Sequence, residues 1–141
     1  MFLHKNTLCC FLIFASFCLA GCSNDGLLLI SGKITFEGTP LSEGTISFMP
    51  SGAEGSSTAA QIQNGAYSAK VSPGKMIIKI YSERSLTPDE VKEYNTNPMT
   101  KNSMTPAESV KKQVIPAKYN EKSTLTEEIR EKRTDLNFDL K

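Results

Sequence analysis

The dipeptide Asn64-Gly65, set between the short runs Ala59 to Gln63 and Ala66 to Val71, constrains this chain more than any other feature. Asparagine and glycine both accept the positive φ angles of a two-residue type I′ turn, so the segment predicts a β-hairpin. Around it the pattern has a period of two. Ile30, Gly32, Ile34 and Phe36 alternate with Ser31, Lys33 and Thr35, as in a strand with one buried face. Glu37-Gly38-Thr39-Pro40 supplies a turn, and Thr45 to Met49 reads as a strand with Ile46 and Phe48 on one side, closed by Pro50. Ser51 to Thr58 is rich in glycine and serine, has nothing to bury, and reads as a flexible loop. After the reversal Ser72-Pro73-Gly74, the run Lys75 to Tyr81 is apolar on both faces over part of its length, which predicts a central, doubly covered strand.

From Arg84 to Lys122 the strand pattern lapses. Thr87-Pro88-Asp89-Glu90 and Thr105-Pro106-Ala107-Glu108 each place a capping threonine, a proline at the first helical position and a glutamate three residues after the cap, so two short helices are expected. Between them the polar stretch Asn95 to Ser103, interrupted by Pro98, reads as a mobile tip. A connection of this length is either functional or disordered, and the sequence leaves both open. The chain closes with Leu125 to Arg130 and with Asp135 to Lys141, where Leu136, Phe138 and Leu140 point one way and Asp135, Asn137 and Asp139 the other. The fold expected is all-β: about seven short antiparallel strands in one β-sandwich over residues 28–141, with an irregular, partly helical insertion at 84–122.

The N-terminus has a different composition. His4 and Lys5 precede an apolar run from Leu8 to Ala20, too short to span a bilayer, which needs about 20 apolar residues. The run ends in Leu19-Ala20-Gly21-Cys22. These residues resemble the lipobox of bacterial lipoproteins, with Leu19, Ala20 and Gly21 as the recognition residues of the signal peptidase. The resemblance implies a signal peptide over 1–21, cleavage before Cys22, diacylglycerol on its sulfur, and a polar tether over 22–27. More than one acyl chain, at about 0.8 kcal/mol per buried methylene, makes a stable anchor. The partner so implied is membrane lipid, and Ser23 after the cysteine is similar to lipoproteins sorted to an outer membrane.

Removal of residues 1–21 would take with it Cys9, Cys10, Cys18 and His4, leave Cys22 as a lipidated residue, and leave 15 basic against 15 acidic side chains. No free thiol or imidazole would remain for a disulfide, a thiolate or imidazole metal site, or Ser-His-Asp and Cys-His catalysis. The whole chain carries a formal charge of +1, which offers no basic surface for nucleic acid.

The stretches Ser31 to Pro50 (SGKITFEGTPLSEGTISFMP), Asn64 to Ser68 (NGAYS) and Val71 to Lys75 (VSPGK) resemble the carboxypeptidase-regulatory-like, transthyretin-type β-sandwich. Ile115 to Thr126 (IPAKYNEKSTLT) with Phe138 to Leu140 is similar to small bacterial lipoproteins bearing that domain. Such modules serve as non-catalytic accessory domains, so the resemblance implies a fold and no enzyme. Arg84 to Val114 lies outside the pattern.

The remaining chemistry is sparse. Ser72-x-x-Lys75 and Ser109-x-x-Lys112 lack the companion motifs of serine-lysine enzymes and read as a solvated turn and an exposed helix face. Asp135, Asn137 and Asp139 have the spacing of calcium ligands without the glycine and terminal glutamate of a calcium loop; the outward face of a strand has the same spacing. No metal and no cofactor is expected. Tyr67 and Tyr81 read as packing residues on strands. Tyr94, Lys118, Tyr119 and Asn120 are the candidate contact residues, with Tyr119 alternatively pinning its segment to the domain. Lys111, Lys112, Lys118 and Lys122 face either an anionic polymer or water. The expected function is a lipid-anchored interaction module of the bacterial envelope, with a protein or polysaccharide partner. The rivals are a structural spacer without a ligand and a small carboxylate hydrolase.

Overall fold

Alternation of buried and exposed side chains organises residues 26–141, which the computed structural model describes. The strands are β1 (Leu28–Phe36), β2 (Thr39–Pro40), β3 (Glu43–Pro50), β4 (Thr58–Gln63), β5 (Ala66–Val71) and β6 (Gly74–Tyr81). The insertion follows with β7 (Glu83–Ser85), helix α1 (Pro88–Thr96), a short 3-10 helix at Ala107–Ser109 and β8 (Lys111–Gln113). A second 3-10 helix at Ala117–Tyr119 leads to β9 (Thr126–Ile129) and β10 (Phe138–Leu140). One curled sheet runs in the order β10-β1-β5-β4-β3-β6-β9, with β2 added to β1, and β7 and β8 form a separate ribbon. The seven strands on that path are the seven anticipated from alternation. β2, β7 and β8, at two or three residues each, are too short to alternate and were not anticipated. One pairing also differs from the antiparallel expectation: β10 lies parallel to β1.

The curl has a visible origin. Asn64 (φ 50°) and Gly65 (φ 79°) make the predicted turn, yet β4 and β5 share only the Gln63–Ala66 pair before they diverge. The chain then passes from β5 to β6, which are not neighbours in the sheet. As a result, side chains from both ends of the strand order enter one core. Ile30, Ile34, Tyr67, Val71 and Leu140 meet Ile46, Phe48, Met76, Ile78 and Ile129 there. Each such buried aliphatic or aromatic side chain contributes about 1.5–3 kcal/mol. Phe48 and Tyr67 lie on strands separated by β4, where a flat sheet would hold the chains about 10 Å apart. Their ring centroids are 6.1 Å apart.

The long β6 strand is not covered on both faces, contrary to expectation. Met76, Ile78 and Ile80 are buried, whereas Ile77, Lys79 and Tyr81 are half-exposed, and β6 is next to last in the strand order. Ile77, on the outer face, is what makes the run apolar on both sides over part of its length.

Gly32 permits the parallel pairing at the other end. A Cβ there would fall on the carbonyl group of Leu136, whose backbone crosses β1 at that point. The register confirms an irregularity: Ile30 bridges Arg133 while Ile34 pairs with Phe138, so the C-terminal strand carries one extra residue between the two. The Leu136 carbonyl, displaced from the ladder, accepts a hydrogen bond from the buried Tyr67 hydroxyl at 2.7 Å. The Asn137 side chain accepts one from the Lys33 N–H at 2.7 Å.

In the insertion, α1 starts where the sequence predicts, with Thr87 as cap, Pro88 in the first turn and a complete capping box. The second expected helix shrinks to three residues and has no side-chain cap. The chain is extended again by Lys111, because β8 pairs with β7.

Candidate functional site

The insertion is held by one carboxylate. Glu90 closes the capping box by accepting from the Thr87 N–H at 2.9 Å. Its two oxygens also accept from both terminal nitrogens of Arg84 on β7 at 2.6 and 2.9 Å, and from Lys112 on β8 at 2.6 Å. Helix and ribbon are therefore tied through a side chain that remains 22% exposed. The bonds from Arg84 first, then Lys112 and Thr87, push the Glu90 carboxyl well below the usual carboxylate range. The same geometry occupies the ammonium of the Ser109-x-x-Lys112 motif. Tyr94, on α1, donates its hydroxyl to the Thr105 carbonyl at 3.3 Å, and Thr100 donates to the Tyr94 carbonyl at 2.6 Å, fastening the return of the tip. Met99 in that tip and Met104 just after it are 92% and 101% exposed.

Ser82 joins the insertion to the sheet. It is buried, and each of its polar atoms is used. Its hydroxyl donates to the Glu43 carbonyl at 2.7 Å, its N–H to the Gln113 side chain at 2.8 Å, and its carbonyl accepts from the Val114 N–H at 2.7 Å. Gly44 makes this close approach possible, since a Cβ there would meet the Tyr81 carbonyl. Above the joint opens a cleft of about 520 Å³, lined by Glu43, Thr45, Gln61, Tyr81 and Glu83 together with the joint residues. Gln61, Thr45 and Tyr81 form one cross-strand row, paired Thr45 with Gln61 and Thr45 with Tyr81. Glu43 and Glu83 flank that row, two residues beyond the last β3–β6 pair. A second cleft of about 400 Å³ shares Tyr81 and Glu83 and is completed by Lys111, Gln113 and Glu121 among others. The walls offer carboxylates, amides, a hydroxyl and a half-exposed aromatic ring. That chemistry suits a polar ligand held by hydrogen bonds against a ring face.

Of the candidate contact residues singled out from sequence, Asn120 lines the second cleft and the others fall elsewhere. Cys22 and the recognition residues Leu19, Ala20 and Gly21 lie outside the described residues, as do the signal segment and most of the tether. Tyr94 sits on α1 beside a small hollow of about 210 Å³ lined in part by Leu86, Val110 and Glu93. Lys118, Tyr119 and Asn120 belong to the turn after β8, against β6. Tyr119 acts as the pin: its hydroxyl donates to the Lys141 carbonyl at 3.0 Å and accepts from the Lys141 N–H at 2.9 Å, with the ring against the core. The Lys141 N–H lowers the phenol's pKa, with Lys118 assisting and partial burial opposing. The Lys118 ammonium lies 4.9 Å from the centre of the same ring. Asn120 is 3% exposed, donates to the Ile115 carbonyl at 3.0 Å and accepts from the Glu121 N–H at 2.6 Å, so its amide shapes the turn at the edge of the second cleft. Asn137 and Asp139 spend oxygens on β1, through Lys33 and Thr35.

Sequence reasoning missed Glu43, Gln61, Ser82 and Glu83, and read Tyr81 as packing. Parity carried the missing signal: Tyr81 shares its face of β6 with Lys75, Ile77 and Lys79, opposite to Met76, Ile78 and Ile80.

No family model matches the chain, and no curated protein or solved structure matches it either. Among the described residues no helix is long and apolar enough to cross a membrane, and no three of His, Cys, Asp and Glu gather as a metal cage.

Proposed function

We propose that this chain is a lipid-anchored, non-catalytic lipoprotein of the bacterial envelope, acylated at Cys22, whose transthyretin-type β-sandwich presents an interaction surface at the base of the insertion. The lipobox-like end of the apolar run supports the anchor, and Ser23 supports the outer membrane as its destination. The divergence of β4 from β5, which lets two parts of the sheet share one core, supports the sandwich. The observation that carries the functional reading is the braced insertion. Arg84, Glu90 and Lys112 lock it, and Ser82 fixes it beside a cleft lined by Glu43, Thr45, Gln61, Tyr81 and Glu83. A spacer has no use for such a lock; a binding surface needs its geometry held before the partner arrives.

Two measurements on the full-length protein test this. Labelling with an alkynyl fatty acid and membrane fractionation should find the label on the wild-type protein and none on Cys22→Ser, which should also stay unprocessed; an unchanged membrane fraction for C22S refutes the anchor. An envelope-extract pull-down should capture a partner that is lost when residues 84–114 are replaced by a short Gly/Ser linker, with circular dichroism verifying the sheet in both. No partner for either folded protein would favour the spacer.

A further inference from the structure

We infer that the pole of the domain at which the chain enters β1 is a contact surface for lipid headgroups, and that the insertion is presented at the opposite pole, off the bilayer. This rests on reading Cys22 as an acylated anchor and names the surface on which the anchored domain stands.

Strand direction defines the two poles. Along the order β1-β5-β4-β3-β6-β9 every strand is antiparallel to its neighbour. The start of β1 at Leu28 therefore lies at the same end as Val71, Thr58, Pro50, Gly74 and Ile129. The reversals Ser51 to Ser57 and Ser72-Pro73 and the exit Arg130 to Lys132 leave the sheet there. At the other end Tyr81 lies with Glu43, Gln63, Ala66 and Phe36, and the insertion begins at Glu83, two residues beyond Tyr81. β6 alone, at eight residues, puts about 23 Å of strand between the poles.

Covalent geometry then limits the anchor. Cys22 precedes Gly26 by four positions, so at most about 14 Å of chain joins the anchored residue to the domain. The strand that follows adds no slack. Leu28 and Leu29 are already paired with Val71 and Lys70, and the Leu29 carbonyl accepts from the Arg133 N–H at 3.2 Å. A tether this short holds the first pole at the headgroups, whereas the insertion is more than its length away.

The surface of that pole fits the contact. Among the described residues four large apolar side chains are exposed, Leu29, Met49, Met99 and Met104. Leu29 and Met49 stand one residue in from the ends of β1 and β3 at the first pole, within reach of the headgroup boundary; Met99 and Met104 are on the insertion. The loops between are rich in serine and glycine and are tied to one another. The Ser51 N–H donates to the Lys75 carbonyl at 2.9 Å and the Ser56 N–H to the Ser72 hydroxyl at 3.2 Å. Exposed charges there have both signs, Lys75, Arg130 and Lys132 with Glu54, Glu128 and Glu131, which matches zwitterionic headgroups and requires no anionic lipid.

The test uses the full-length protein produced in bacteria and extracted from their membranes, with acylation of Cys22 read from the intact mass. Loss of residues 1–21 and acylation of Cys22 leave no free thiol, so Ala53→Cys at the first pole, or Lys101→Cys in the tip of the insertion, takes a single fluorophore. Both positions are exposed in loops, and circular dichroism verifies the sheet; Gly52→Cys and Asn102→Cys provide a second pair. Each protein is placed in phosphatidylcholine vesicles containing a lipid with a nitroxide on its headgroup. The nitroxide lipid should quench the label at 53 several-fold more than the label at 101, and aqueous iodide should show the reverse preference. Quenching at 101 equal to or above that at 53 in both pairs overturns the inference, and so does an absence of lipid quenching at either position, which would mean a domain hanging clear of the bilayer. Either result with Cys22 acylated leaves the anchor intact and removes only the orientation; an unmodified Cys22 removes both.

Discussion

Replacing Tyr67 by phenylalanine isolates a single interaction at the point where the C-terminal strand crosses β1. Tyr67 is 4% exposed, and its ring lies 6.1 Å from that of Phe48 and 6.4 Å from that of Phe138. The substitution keeps those contacts and almost all the buried apolar area. It removes one hydroxyl, whose proton is donated to the Leu136 carbonyl at 2.7 Å. That carbonyl belongs to a residue 2% exposed and is displaced from the strand ladder, so it loses its partner without gaining water. Leaving a buried acceptor unpaired costs about 1–3 kcal/mol. For a domain of this size that corresponds to a fall of about 4–12 °C in Tm. Urea unfolding followed by far-ultraviolet circular dichroism is the appropriate assay, since the chain has no tryptophan. The midpoint should move while the slope m stays the same. A second signature depends on pH. Burial pushes the Tyr67 phenol up, with Arg133 partly opposing, so the folded-state pKa lies above the unfolded value of about 10. The wild-type stability is therefore intact below about pH 10 and is lost as the pH rises through the folded-state value. The Tyr67→Phe protein has no proton to lose there, so the gap between the two proteins should narrow above about pH 10. A stability change below about 0.5 kcal/mol, or parallel alkaline curves, would refute the assignment of that bond.

Three further perturbations follow from the same geometry. Gly32→Ala places a methyl group on the Leu136 carbonyl, and since both partners are backbone the crossing must shift; thermal unfolding should report a loss of about 2–4 kcal/mol, and a neutral result would mean that β1 and the C-terminal strand do not approach as described. Glu90→Gln should leave the midpoint of the sheet nearly unchanged but speed amide hydrogen exchange in α1, β7 and β8. Because the folded-state pKa of Glu90 is depressed, its bracing is present above the unfolded value of about 4.3 and disappears as the pH falls through the folded one, so exchange in the wild-type insertion should accelerate only on acidification below that range. Asn120→Ala removes the donor to Ile115 and the acceptor for Glu121 from a buried turn; a loss of about 1–3 kcal/mol is expected in denaturant unfolding, and a neutral outcome would return Asn120 to the surface.

By itself the sequence determined the local grammar of this protein. Asn64-Gly65 dictated a type I′ turn because both residues tolerate positive φ, Thr87-Pro88-x-Glu90 dictated a helix start because the Thr87 and Glu90 side chains accept from free N–H groups and Pro88 has none to satisfy, and the alternation of Leu136, Phe138 and Leu140 dictated which face of the last strand is buried. These are short-range effects, complete within a few residues. Only the tertiary structure decided the parallel alignment of β10 with β1, because the collision that Gly32 avoids involves a residue more than a hundred positions away. It also made Asn120 a buried brace of its turn at the edge of the second cleft, and set Tyr81 on the open face of β6 beside Glu43 and Glu83. Each carboxylate alone looks like any solvated glutamate; only the pairing of β3 with β6 brings the two to one cleft, and spacing along the chain carries no trace of that pairing.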